Sequence, residues 1–156
     1  MKKFKFSLEA LLSVKKKKEE DVKMRLAKKN REAEETRKSI ENIQNKLREF
    51  QAAEKERRGS ASENIVSLRN SVAYRNAMKL ELLNEGRKLD NIMAAVHAIN
   101  QELIKASQER RAVEIIKENR FAEWKRQNNV QEQKFIDDIS QQAFIREKKA
   151  SAQRGS

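Results

Sequence analysis

Proline is absent from this chain, and glycine occurs only at positions 59, 86 and 155 of its 156 residues. Proline removes a helix hydrogen bond and glycine supplies the freedom that tight turns need, so a sequence with almost none of either has few places to reverse direction. Long helices are the expected elements. Charged residues make up 38% and aromatic residues 5% of the chain, which suits a narrow helical seam and not a wide globular core. Apolar residues nonetheless recur at regular spacing, which a disordered polyelectrolyte does not require.

The first helix is expected to start at Ser7, whose hydroxyl suits the capping of the free amides before Leu8-Glu9-Ala10. A three-four spacing then runs through Leu8, Leu12, Lys15, Glu19, Val22, Leu26, Lys29, Ala33, Thr36, Ile40, Ile43, Leu47 and Phe50. Most of these are apolar, with a polar gap at Lys15 and Glu19, so the pattern is that of a coiled-coil seam. It fades at Glu54 to Arg58 and stops at Gly59-Ser60-Ala61-Ser62-Glu63. Gly59 suits the left-handed residue that closes a helix, and Ser60 with Glu63 has capping-box spacing. A second helical run is expected from near Ala61. Its seam passes through Met78, Leu82, Glu85, Leu89, Ile92, Val96, Ile99, Leu103, Ala106, Arg110, Val113 and Lys117. After an offset of four it resumes at Phe121, Trp124, Asn128, Gln131, Phe135 and Asp138, with Ile139, Phe144 and Ile145 beyond.

These signals predict an all-α fold, a long antiparallel two-helix coiled-coil hairpin in a single domain over residues 1–150, with 151–156 a frayed tail. Arm one covers about 7–58 and, at roughly 1.5 Å per residue, is about 75 to 80 Å long. If both chain ends lie together, arm two covers about 96–148. The middle segment, about 60–95, then extends past the tip or forms a short helical excursion between the arms, with Gly86 its weak point.

No catalytic constellation is legible. There is no cysteine, and His97 is the sole histidine, so neither a disulfide nor a plausible metal centre is expected. Asp137 and Asp138 are adjacent, which on a helix points them about 100° apart. Gly59 and Gly86 are isolated, which excludes a glycine-rich phosphate loop. No enzyme activity and no cofactor are expected. The opening Met1 to Phe6 is basic, but its apolar run is broken by Glu9 and followed by lysines, unlike a signal peptide. Nor does any segment have the length of uncharged sequence that a membrane span needs. A cytoplasmic location is expected.

The net charge of +12 is unevenly spread, with 19 basic and 11 acidic residues in 1–58. Such a field favours acidic partners. Lys15, Lys16, Lys17 and Lys18 form the densest basic run, readable as a solvated helix face or as a docking surface. Glu19-Glu20-Asp21 follows at once, so the run is not the basic fork of a DNA-binding zipper. Phe4, Phe6, Leu8, Leu11 and Leu12 beside basic residues fit a membrane-surface helix, but packing against the far end of the chain explains them better. Tyr74 lies in the middle segment and is a candidate partner contact.

The opening Phe4-Lys5-Phe6-Ser7-Leu8-Glu9-Ala10-Leu11-Leu12, followed by Glu19-Glu20 and Leu26-Ala27, resembles the start of the flagellar export protein FliJ family. Glu109-Arg110-Arg111-Ala112-Val113-Glu114 and Glu132-Gln133-Lys134-Phe135-Ile136-Asp137-Asp138 are similar to its later charged stretch. The resemblance implies a stalk-like coupling protein similar to the central shaft of rotary ATPases. Its partners would be the hexameric flagellar export ATPase, the cytoplasmic part of the export-gate membrane protein and export chaperones, at the inner face of the cell membrane. The ATPase-facing end would comprise Phe4, Phe6, Leu8, Leu11 and Leu12 with Phe135, Ile136 and Ile139. The gate-facing site would include Tyr74, Met78 and Leu82. The alternatives are a stalk component of a virulence-type secretion system and a basic coiled coil associated with nucleic acid.

Overall fold

The computed structural model describes residues 3–59 and 64–155. It contains two helices, α1 (Glu9–Arg58) and α2 (Ile65–Arg154), that pair antiparallel as a hairpin. The chain divides into two compact units, residues 17–107 and residues 1–16 with 108–156.

In the unit of residues 17–107, the pairing is fixed by small and branched seam residues. Ala33, Ile92 and Val96 are buried together, with Leu26 and Leu89 packed on them. Arg25 bonds to Glu102 across the pair, Phe50 and Tyr74 have ring centroids 4.3 Å apart, and Arg75 approaches buried Glu54 at 3.6 Å. Two seam polar groups find close partners: Thr36 Oγ1 donates to the Glu32 carbonyl at 2.9 Å, and Glu19 pairs with Lys23 at 3.0 Å, whereas the buried Arg75 Nε makes no hydrogen bond. Such partners offset the cost of burying polar atoms in a seam.

The helix termini differ from expectation. Ser7 lies in a turn before α1, where Glu9 N–H donates to the Phe6 carbonyl at 3.2 Å, and its hydroxyl accepts from Arg120 at 2.7 Å. Gly59 N–H donates to the Glu56 carbonyl at 3.2 Å, a tight final turn that needs no left-handed residue, and no described glycine has positive φ. The capping box expected at Ser60 and Glu63 lies outside the described residues. The N-cap of α2 is Asn64, whose Oδ1 accepts from Ser67 N–H at 2.8 Å.

The seam positions expected from Leu8 through Phe50 and from Met78 through Lys117 are all buried or half-buried. Their register is corrected by the structure. Residues 65–95 are not an excursion between arms: they are the first turns of one uninterrupted α2, and Tyr74 and Arg75 already face Phe50 and Glu54. Gly86 sits within this helix, and its backbone there is unbroken. The seam here runs through Ser71 and Arg75, both covered by neighbours, so an apolar pattern does not reveal it.

Candidate functional site

The unit formed by residues 1–16 and 108–156 carries the candidate site, because it holds both the N-terminal apolar cluster and the long exposed end of α2. Phe4 and Phe6, ahead of α1, lie against α2. Phe6, Leu12 and Val113 form a buried cluster, with Phe4 and Leu8 packed on it. The Phe4 ring meets Phe121 edge-on at 5.2 Å and Trp124 at 5.9 Å, while Phe121 and Trp124 stack at 5.8 Å. Such aromatic geometry contributes about 0.5–1.5 kcal/mol per pair beyond area burial. Lys117 Nζ and Arg120 lie 5.8 and 5.7 Å from the Phe6 ring centre, cation–π contacts that the seam pattern gave no sign of.

Polar contacts lock the same register. Lys15 bonds Glu109 at 2.8 Å and Lys117 bonds Glu9 at 2.7 Å. Arg110 Nη1 donates to Glu114 Oε2 at 2.6 Å, and this hydrogen bond holds the Glu114 carboxyl below the usual glutamate range, with Arg111 and Lys16 adding to the shift. Bonds to Glu118 and Glu114 raise the Arg111 guanidinium.

Of the expected ATPase-facing residues, Phe6 and Leu12 are buried, Phe4 and Leu8 are half-buried in the same cluster, and Leu11 is 41% exposed. Phe135, Ile136 and Ile139 are not gathered with them. Phe4 meets α2 at Phe121 and Trp124, and Phe135 lies three helical turns further on, about 16 Å along the axis. Phe135 is 66%, Ile136 55% and Ile139 51% exposed, with Val130, Phe144 and Ile145 also exposed. A shallow concavity of about 780 Å³ follows this face from Trp124 through Asn128, Glu132 and Phe135 to Ile136. From Lys125 on, α2 is exposed except at half-buried Asn128 and Glu132. Sequence reading took Phe121, Trp124 and Phe135 together as seam core; only the first two acquire a packing partner from the N-terminal segment.

The expected gate-facing residues lie in the other unit. Tyr74 is 39% exposed and packs on Phe50 with the rings tilted by 44°, and Arg57 lies over Phe50 at 5.9 Å. Met78 and Leu82 are half-buried seam residues. Of the basic run, Lys15 is half-buried on Glu109, and Lys16, Lys17 and Lys18 are exposed. His97 is exposed on α2. Among the described residues, no group of His, Asp or Glu could hold a metal ion, and no helix is long and apolar enough to cross a membrane.

The family model described as flagellar FliJ protein matches residues 4–149. The chain belongs to the FliJ family. It is therefore a non-enzymatic stalk or coupling component of flagellar type III export, acting with the export ATPase and gate complex. No curated protein and no solved structure matches the chain. The FliJ match includes the hairpin and most of the exposed end of α2, so both belong to the family's body plan and neither is an appendage.

Proposed function

We propose that this FliJ-family protein engages the hexameric export ATPase through the end of α2 beyond Trp124, with Phe135, Ile136 and Ile139 as the contact residues. The observation that carries this reading is their exposure on a helix face without an intramolecular partner. Apolar side chains of that size, rimmed by polar residues, mark interaction surfaces. Phe4, Phe6, Leu8 and Leu12 serve the same end indirectly by anchoring the N-terminus on α2, and Leu11 is the member of that group open to a partner. Tyr74, Met78 and Leu82 are the contact for the cytoplasmic part of the export-gate membrane protein. Tyr74 is the accessible anchor there, beside a concavity of about 530 Å³ that includes Phe50, Arg57 and Val66. Lys16, Lys17 and Lys18 supply a basic field for acidic faces of the ATPase or of export chaperones. The protein would work in the cytoplasm, at the inner face of the membrane.

The test is binding to, and stimulation of, the purified export ATPase by wild type and by the Phe135→Asp, Ile139→Asp double variant. Loss of both with helicity retained is expected. Unchanged stimulation would refute this placement of the ATPase contact. Tyr74→Ala should weaken gate binding and leave ATPase stimulation as in wild type.

A further inference from the structure

Beyond the role of α2 as a partner-binding helix, we infer that its exposed end pairs with the same segment of a second copy, antiparallel, when the protein is free. Glu132, Phe135, Ile136, Ile139, Ala143 and Arg146 recur at three- and four-residue steps and so share one helix face. The apolar centre of that face is exposed at Phe135, Ile136 and Ile139. Its two ends carry opposite charge. Glu132 makes the first end acidic and Arg146 makes the second basic. Among the described residues Arg146 has no ion-pair partner.

This arrangement is self-complementary in one direction only. Two copies related by a two-fold axis near Ile139 place Glu132 of each beside Arg146 of the other. They also bring Phe135, Ile136 and Ile139 against the partner's Ile139, Gln142 and Ala143, small or flexible enough to receive them. Parallel pairing would set acid on acid and base on base, which is disfavoured. An acidic partner protein would satisfy the basic end but leave Glu132 opposed. The pairing is isologous, so it closes at a dimer and does not propagate. The paired stretch is only about 15 residues, about 22 Å of helix, so the dimer is reversible and breaks when a stronger partner takes the face. That the dimer withholds this face from the export ATPase rests on the function proposed above; the self-pairing does not.

Sedimentation of the full chain alone tests it. At about 100 µM chain and about 50 mM salt a dimer is expected, dissociating toward monomer at about 1 M salt. Ile139→Asp should weaken the dimer at least about tenfold. So should each single-sign variant, Glu132→Lys and Arg146→Glu. Mixing the two single-sign variants should restore a one-to-one pair. Circular dichroism confirms that each is still helical. A wild-type monomer under the low-salt conditions, or a dimer indifferent to these substitutions, would overturn the inference. A dimer that forms as described but a monomer that fails to bind the ATPase would leave the self-pairing standing and defeat the proposed function instead.

Discussion

Leu11 and Leu12 are neighbours in sequence with opposite surroundings: Leu12 is 2% exposed against Phe6 and Val113, whereas Leu11 is 41% exposed. Leu12→Ala is expected to cost about 2–3 kcal/mol, since it removes buried methyl groups and leaves a cavity in a thin core. Leu11→Ala should stay within about 0.5 kcal/mol. Urea titration followed at 222 nm compares the two, and equal losses would show that the first turns of α1 pack on another face. The Arg110 and Glu114 pair yields a second test. The hydrogen bond from Arg110 lowers the Glu114 carboxyl, so the folded state holds its proton less tightly than the unfolded chain does. That contribution to stability is present above the ordinary glutamate pKa and lost as pH falls through the lowered folded value. Because both side chains are partly solvated, the effect on stability is small, and the site-resolved titration is the sharper readout. In a carbon-detected NMR titration Glu114 should titrate below an unstructured glutamate, and Arg110→Gln should raise it toward that value. A Glu114 midpoint indifferent to Arg110→Gln would exclude this hydrogen bond as the cause.

At the scale of elements, both helices depend on their ends and on uninterrupted backbone, and the two most informative positions lie in α2. Asn64 caps α2 by accepting from Ser67 N–H at 2.8 Å, and Asn64→Ala should cost about 1 kcal/mol. Gly86 lies within α2, and a Cβ added there would meet nothing within 4 Å. Gly86→Ala should therefore stabilise by about 0.5–1 kcal/mol through reduced unfolded-state entropy and better helix propensity. Thermal unfolding reads both, and a destabilised Gly86→Ala would mean that α2 bends at this point in solution. The same two positions show how far the sequence was legible. The three-four spacing identified the seam residues of α1 from Leu12 through Phe50 and of α2 from Met78 through Lys117, because alternating apolar residues are a direct imprint of a two-stranded interface. It did not reveal the register of the pairing. Near the turn the seam is carried by Ser71, Arg75 and Glu54, and polar residues in a narrow seam look like a solvated face until their partner is seen. With those positions invisible, residues 60–95 read as an excursion and the partner of α1 was placed too far along the chain. The cap at Asn64 was missed for a related reason: Ser60 and Glu63 offered a fuller capping signal a few residues earlier. Of the candidate site, the residues were legible but their grouping was not. Phe4 and Phe135 were both expected at one ATPase-facing end, and only the observed register places three helical turns between the contacts of one and the position of the other.

At the scale of the whole molecule, the register decides which part of the chain sustains the fold and which part is left for partners. The buried and half-buried seam on α2 ends at Trp124, Asn128 and Glu132, and everything from Gln133 to the end of the described chain is exposed. Burial of apolar area is the main stabilising contribution to folding, so residues that bury none contribute little to the cooperative transition even when they are helical. A chain ending after residue 132 should accordingly unfold at nearly the same denaturant midpoint as the full chain, within about 0.5 kcal/mol of stability. Its helical signal should fall, because α2 is shortened by the turns that extend to Arg154. The same truncation removes Phe135, Ile136 and Ile139, and it should abolish stimulation of the export ATPase while binding of the gate's cytoplasmic part at Tyr74 persists. A matched chain lacking residues 1–8 should behave oppositely in stability, because it loses Phe4 and Phe6 from the cluster around Val113. If the C-terminal truncation instead lowered the midpoint as much as the N-terminal one, the end of α2 would have to fold back onto the hairpin in solution. Its apolar face would then be core, and the ATPase contact would have to be sought elsewhere.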